Sequence, residues 1–159
     1  KRTLIILAVI FIIIQFVRSA RNVGNVNPEK DITAAFAVPN DVQGILKTSC
    51  YDCHSNDTRY PWYVNIQPFG WFMDNHIKEG KRKMNFSEFA TYPLRRQHNK
   101  LNDIIENVSD GEMPLPSYLL IHTDAKLSDE QKQKLIDWAS AMRDSMKAKY
   151  SVDSLRSNR

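Results

Sequence analysis

The sequence predicts an all-α domain that follows an apolar N-terminal segment, and three observations support this prediction. Apolar residues recur at helical spacing in several stretches, and these stretches begin at residues that cap helices well. No stretch of useful length alternates apolar and polar residues as a half-buried strand does. The chain has 159 residues, of which 42% are hydrophobic, enough to bury the core of one domain with an extension.

The first element is an apolar run over residues 4–17, preceded by Lys1 and Arg2 and followed by Arg18. We interpret residues 1–18 as a transmembrane or signal-anchor helix, or else as a signal segment that is removed. The run is shorter than the ~20 residues that span a bilayer comfortably, but Arg18 makes a poor cleavage site, which favours an uncleaved anchor. Either way, we expect the rest of the chain to be exported.

The next segment, residues 19–38, is polar and then small and apolar, which predicts a linker. A single domain is expected over residues 39–150, followed by a polar tail over residues 151–159. The first helix of this domain begins near residues 39–41, where Asn40 or Asp41 can cap it, and runs straight into Cys50.

Three later helices are predicted. A short one covers residues 71–78 and is ended by Gly80. Another runs from residue 87 to residue 108, and Pro93 either kinks it or begins its second part. The last helix is capped by Ser128, with a glutamine three residues later as in a capping box.

The motif Cys50-Tyr51-Asp52-Cys53-His54 ends the first helix, and it is the pattern by which haem is tied covalently to a polypeptide. Cysteines three apart lie on one side of a helical turn, so both sulfurs reach the vinyl groups along one porphyrin edge. The histidine that follows is then placed to bind the iron as proximal ligand. We therefore expect one covalently bound haem c, with its iron, as the cofactor.

Other interpretations of the motif are weaker. A zinc site usually has four ligands, and Cys50 and Cys53 are the only cysteines in the chain. A disulfide between them would give His54 no role. A redox dithiol of the thioredoxin type would follow a strand, whereas this motif ends a helical pattern.

The sixth iron ligand has two main candidates, and an open position is a third option. Met113 lies in a proline-stiffened loop over residues 109–118, where a rigid backbone can hold a thioether against iron. His76 is the alternative, and bis-histidine ligation would lower the potential that methionine ligation raises. Aromatic residues near the motif are expected to wall the haem pocket, and our candidates are Trp62, Tyr63 and Trp71.

The order of these features resembles the class I cytochrome c plan, in which a helix leads into CxxCH and a Met-Pro loop precedes the last helix. More narrowly, several segments resemble the bacterial haem-binding domain family of c-type cytochromes, namely residues 49–55, 60–63, 79–80, 85–88 and 111–114. The resemblance covers most of residues 39–140. It implies a cytochrome c-like helical fold around one haem, His54 and Met113 as axial ligands, and packing of the first helix against the last.

We therefore expect a membrane-tethered, mono-haem c-type cytochrome that transfers single electrons by Fe(II)/Fe(III) cycling, an electron carrier rather than an enzyme. The alternative is a haem-based sensor or a peroxidase-like enzyme with a displaceable or open sixth ligand. Covalent haem attachment in bacteria takes place outside the cytoplasm. We therefore expect an anchor in the bacterial inner membrane, a haem domain in the periplasm, and redox proteins as partners.

The charge of the chain argues against a nucleic-acid partner. The formal net charge is +4, but Lys1, Arg2 and Arg18 belong to the N-terminal segment. Without these three, the 22 basic residues fall to 19, against 18 acidic residues. The basic character therefore belongs to the N-terminal segment and does not indicate a nucleic-acid-binding domain.

Overall fold

The computed structural model describes residues 1–24 and 26–155. Within these ranges the regular secondary structure is helical, apart from one isolated bridge between Val23 and Asp57. The all-α prediction is confirmed. The α-helices in chain order are α1 (Arg2–Ile14), α2 (Ile32–Ala35), α3 (Asn40–Ser49), α4 (Tyr51–His54), α5 (Phe69–Lys83), α6 (Leu94–Ser109), α7 (Pro116–Leu119), α8 (Asp129–Lys149) and α9 (Val152–Leu155). Three short 3-10 helices cover Trp62–Asn65, Phe86–Thr91 and Thr123–Ala125.

The main core lies between α3, α6 and α8. Leu46, Leu101 and Leu135, one from each helix, are fully buried in it, and each such side chain stabilises the fold by about 1.5–3 kcal/mol. Trp138 of α8 is also buried and donates its indole N–H to the carbonyl of Ala37 over 3.0 Å. The first helix of the domain thus packs against the long C-terminal helix, as the resemblance implies.

Helix α1 lies outside this core, and none of its side chains is buried. Its end is tied to the domain by the Gln15 side chain, which exchanges hydrogen bonds of 3.2 and 2.8 Å with the backbone of Gln67. The carbonyl of Val17 also accepts a hydrogen bond from the indole of Trp71 over 2.9 Å. Among the described residues no helix is long and apolar enough to cross a membrane, so the structure does not support the predicted transmembrane helix.

Part of the segment predicted as a linker, residues 19–38, is built into the core. Asp31 caps α2 by accepting the backbone N–H of Thr33 over 3.0 Å, and Ile32 is fully buried. The carbonyl of Lys30 accepts the backbone N–H of Ala90 over 2.8 Å, which holds α2 against the 3-10 helix at residues 86–91. A helix of four residues is too short to show a helical period in the sequence.

Helix α5 is longer than the predicted segment 71–78, and it passes through Gly80 without ending. A Cβ atom at Gly80 would lie 2.5 Å from the carbonyl oxygen of Cys53. The glycine therefore serves the close approach of α4 to α5 rather than helix termination. The last turn of α5 carries Lys81, Arg82 and Lys83, which interact favourably with the helix dipole.

The predicted helix over residues 87–108 is divided at Pro93. Asn85 caps the 3-10 helix before it by accepting the backbone N–H of Ser87 over 3.1 Å. Pro93 then stands immediately before α6, where its missing N–H costs no helical hydrogen bond. Pro93 therefore begins the second part of the predicted helix, which is α6, and does not kink a continuous helix.

The C-terminal helix begins as predicted. Ser128 accepts the backbone N–H of Gln131 over 3.1 Å, and the Gln131 side chain accepts the backbone N–H of Ser128 over 2.9 Å, which completes the capping box. The predicted polar tail over residues 151–159 starts with α9, whose Leu155 is buried against the core. Residues 156–159 of that tail lie outside the described residues.

Candidate haem-binding site

The two cysteines and the histidine of the motif lie on one wall of one cavity. Cys50 ends α3 with φ −129° and ψ −40°, and its carbonyl accepts the backbone N–H groups of Cys53 (3.2 Å) and His54 (3.0 Å). This single turn of helix, α4, presents Cys50, Cys53 and His54 to the same cavity. The structure therefore brings these three predicted site residues together.

Both thiols are free and partly buried. Burial raises the pKa of Cys50 to about 12, and burial together with the charge of Asp52 raises the pKa of Cys53 to about 11. Both thiols are therefore protonated at neutral pH. A reactive dithiol needs a lowered pKa, so this environment argues against the redox-dithiol interpretation.

The His54 ring is fixed by one hydrogen bond and one aromatic contact. Its Nδ1 lies 2.9 Å from the carbonyl oxygen of Met84, and because a carbonyl only accepts, this nitrogen carries the proton. The ring also meets Phe86 edge-on, with centroids 6.1 Å apart. Burial lowers the pKa of His54, against the opposing effect of the Met84 and Gly80 carbonyls. The imidazole is thus neutral, and Nε2 is the nitrogen suited to a metal.

Met113 borders the same cavity as the motif, in the loop that joins α6 to α7. Its backbone N–H and that of Glu112 both donate to the carbonyl of Asn107, over 3.1 and 2.9 Å. Gly111 has φ +72°, a value that glycine adopts without strain, and it reverses the chain there. The loop therefore holds Met113 by backbone hydrogen bonds to the end of α6.

His76, the alternative sixth ligand, borders this cavity too. It lies on α5 and is half-buried. Its Nδ1–H donates to the carbonyl of Phe72 one turn earlier over 2.8 Å, and its ring lies 4.2 Å from the Phe72 ring. Both candidates are thus within the site.

The site continues into two further cavities, and the three together are called the cleft here. The central cavity, of about 270 Å³, is the one just described. A core-side cavity of about 290 Å³ shares Cys50, His54 and Met113 and is closed by the core residues Leu46, Phe86 and Leu135. An apolar cavity of about 470 Å³ shares Cys53 and His76 and extends towards Tyr63, Phe69, Phe72, Met73, Leu120 and Ile121. The apolar cavity alone lies within the ~300–1,000 Å³ typical of cofactor sites, and the two smaller cavities adjoin it or each other through shared residues.

A polar network that we did not predict lies behind Cys53. Asp52, between the two cysteines, is buried and accepts hydrogen bonds from the hydroxyl of Tyr118 (2.8 Å) and from the Arg59 guanidinium (3.1 Å). The Tyr118 ring stacks on His122, with centroids 4.0 Å apart, and His122 Nε2 is hydrogen-bonded to the hydroxyl of Tyr63 over 2.7 Å. Burial and the Asp52 carboxylate raise the pKa of Tyr118, so its hydroxyl keeps its proton.

This network ties α4 to α7 at the side of the cleft. Arg59 follows Asp52 closely enough in the sequence to have suggested an ion pair. Tyr118 is 66 residues from Asp52, and no local pattern marks that contact.

The three aromatic residues proposed as pocket walls differ in position. Tyr63 borders the apolar cavity. Trp62 is 75% exposed and meets Tyr63 edge-on, with centroids 6.2 Å apart. Trp71 is half-buried and points its N–H at the carbonyl of Val17 in the N-terminal segment.

Two cations stand at the core-side cavity. Lys83, from the last turn of α5, and Lys100, on α6, both border it. Lys100 is paired with Asp103 over 2.6 Å. Within residues 1–24 and 26–155, no three His, Cys, Asp or Glu side chains form a group that would hold a metal ion by themselves.

The residues of the cleft fit a haem. Two thiols three residues apart, a neutral imidazole with an orienting carbonyl, a thioether and a second imidazole all border one cavity with largely apolar surroundings. Protein ligands to haem iron are drawn from this set of groups. The cations at the core-side cavity add groups that suit the carboxylates of a porphyrin.

Comparison with known proteins points the same way. A sequence model of the haem-binding domain family matches residues 9–141. Over 120 residues the chain is 29% identical to cytochrome c peroxidase Ccp of Escherichia coli (strain K12), which covers 72% of this chain and 26% of that protein. The chain thus spans about a quarter of the length of this curated relative. No solved structure matches this chain.

Proposed function

Because the chain belongs to the haem-binding domain family, we propose that it is a mono-haem c-type cytochrome that carries single electrons. The observation that supports this most directly is the placing of Cys50, Cys53 and His54 on one wall of the cleft. In this proposal Cys50 and Cys53 bind one haem c covalently, and His54 and Met113 bind its iron. Haem bound in this way supplies one-electron Fe(II)/Fe(III) chemistry.

The motif residues each have a role that follows from their surroundings. Cys50 and Cys53, three residues apart at one cavity, are placed to form thioether bonds to the two vinyl groups of one porphyrin edge. His54 is oriented by the Met84 carbonyl, and this bond makes Nε2 a better donor to a metal.

Met113 is the better sixth ligand because it borders two cavities together with His54. His76 shares only the central cavity with His54. Lys83 and Lys100 bind the haem carboxylates in this proposal, and the apolar walls of the cleft exclude water from the iron. Burial of this kind and ligand identity together tune the reduction potential.

We place the haem domain in the bacterial periplasm, attached to the inner membrane through α1. The support is the run of exposed apolar side chains on α1, together with the extracytoplasmic site of covalent haem attachment. The partners in this proposal are other redox proteins.

A peroxidase-like enzyme or a haem-based sensor is the second candidate. It is favoured by the similarity to the Escherichia coli protein named cytochrome c peroxidase Ccp, and by the presence of His76 and Glu79 at the central cavity. In that case the sixth ligand is displaceable, and His76 takes the role of an acid-base group.

Intact mass spectrometry of the denatured protein tests the proposal. Protein exported by a host that makes c-type cytochromes is expected to have the mass of the chain plus one haem. The double variant Cys50→Ala/Cys53→Ala is expected to have the mass of the chain alone. Release of the haem from the wild type on denaturation would contradict covalent attachment. Rapid binding of carbon monoxide to the reduced wild type would favour the sensor or enzyme.

A further inference from the structure

Among the described residues after residue 17, six of the nine exposed large apolar side chains gather in one patch, and the other three are Val23, Val26 and Val152. Among the described residues after residue 17, every exposed Leu, Ile, Phe and Trp belongs to it, with exposed fractions from 37% to 82%. We call this patch the apolar rim, and its members are Trp62, Ile66, Phe69, Phe72, Leu120 and Ile121. A concentration of this kind marks a binding surface.

Four of the six residues of the apolar rim lie at the apolar cavity. Phe69, Phe72, Leu120 and Ile121 all border this cavity, which reaches Cys53 at its inner end. The rings of Phe69 and Trp62 each meet the Tyr63 ring edge-on, with centroids 6.4 and 6.2 Å from its centroid. The rim therefore frames an open side of the cleft.

The apolar rim is also joined to the N-terminal apolar helix. Gln67, which follows Ile66 in the chain, is hydrogen-bonded to Gln15 at the end of α1, and Trp71 binds the carbonyl of Val17. The end of an exposed apolar helix is thus fixed beside the rim.

Basic side chains lie at the same junction. Arg18 borders a small cavity there together with Gln67 and Gly70. Arg21 donates to the Asn65 side chain over 2.6 Å, and its guanidinium lies 4.5 Å from the centre of the Tyr60 ring.

We propose that the apolar rim docks on the surface of a lipid bilayer, so that the open side of the cleft faces the membrane. Exposed Trp and Phe side chains are suited to the level of the lipid headgroups, and neighbouring arginines bind anionic headgroups. An apolar protein partner would use the rim alone, whereas a bilayer uses the rim, the arginines and the adjoining helix α1 together. The inference rests on the proposed function for the attachment of α1 to the membrane and for the haem in the cleft.

The test uses the haem-loaded full chain and vesicles of equimolar phosphatidylcholine and phosphatidylglycerol. The rim variant Trp62→Ser/Leu120→Ser/Ile121→Ser removes three of the most exposed side chains, and its vesicle partition coefficient is expected to fall roughly tenfold or more. The control Val26→Ser/Val152→Ser removes exposed apolar side chains elsewhere and is expected to bind as the wild type does. In hydrogen exchange, residues 116–122 of the wild type are expected to gain protection on vesicles.

Two results would overturn the proposal. The first is that the rim variant partitions like the control and that residues 116–122 gain no protection on vesicles. A third variant, Ile6→Ser/Ile10→Ser/Ile13→Ser in α1, would in that case abolish vesicle binding. Membrane attachment through α1 would then stand without the rim. The other is vesicle binding by the rim variant equal to that of the wild type together with an altered haem spectrum, which would leave Leu120 and Ile121 with a role at the apolar cavity alone. The proposed function fails separately, when the intact mass shows no covalent haem.

Discussion

Replacing Gly80 with alanine tests how closely α5 must approach α4, the turn that carries Cys53 and His54. A Cβ atom at this position would lie 2.5 Å from the carbonyl oxygen of Cys53 and 3.1 Å from its carbonyl carbon, whereas ordinary contact begins at 3.4 Å. The two helices must therefore separate by about 0.9 Å, the difference between 3.4 and 2.5 Å. Because both contact atoms belong to the backbone, no side-chain rotation relieves the clash.

The change in the free energy of unfolding on Gly80→Ala results from two opposing effects. Overpacking of this kind costs typically about 1–3 kcal/mol, while alanine in place of glycine within a helix returns about 0.5–1 kcal/mol. We expect Gly80→Ala to lower the free energy of unfolding by about 1–2 kcal/mol. Gly44→Ala is the matched control, since it lies inside α3 with nothing within 4 Å of the added Cβ. It is expected to raise the same quantity by about 0.5–1 kcal/mol.

Urea unfolding of the haem-loaded proteins measures both changes, and the visible spectrum reports whether His54 has moved with α4. The close approach of α4 and α5 would be refuted by a Gly80→Ala protein that gains stability as Gly44→Ala does and keeps the wild-type spectrum.

Three further predictions concern the network, the thiols and the last helix. Tyr118→Phe removes a hydrogen bond to the buried Asp52 carboxylate, so urea unfolding should show a loss of about 1–3 kcal/mol, and an unchanged midpoint would assign that bond no role. In the haem-free chain at pH 8, iodoacetamide should alkylate Cys53 about a hundredfold and Cys50 about a thousandfold more slowly than in the urea-unfolded chain, because burial raises both pKa values. The folded rate should still be rising above about pH 10, where the unfolded rate levels off, and equal rates would contradict the buried, neutral thiols. Ser128→Ala removes the cap of α8 and should cost about 1 kcal/mol in the same unfolding assay, whereas no loss would mean that the capping box is not formed in solution.

The parts of the site that are local in sequence are the parts that sequence analysis predicts. Cys50, Cys53 and His54 fall within one helical turn, so their spacing alone places them together. The Ser128 cap is equally local, because its partner is three residues away. The prolines around Met113 predict a rigid loop, and backbone hydrogen bonds from Glu112 and Met113 to the Asn107 carbonyl hold it.

The parts that depend on distant contacts escape such analysis. A glycine at position 80 is typical of a helix end in the sequence. Only the structure shows that this glycine instead makes room for the backbone of Cys53. The bond from Tyr118 to Asp52 joins residues far apart in the chain. Ile32 lies in a polar stretch with too few residues for a helical period, yet it is fully buried.

The optical spectrum of the oxidised protein, compared with those of Met113→Ala and His76→Ala, tests the central claim most directly. With His54 and Met113 as axial ligands, the wild type should show a weak band near the red end of the spectrum. This band should be lost in Met113→Ala and kept in His76→Ala. Ligation of the iron by Met113 would be contradicted by a wild type without the band. It would also be contradicted if the spectrum is unchanged in Met113→Ala and altered in His76→Ala.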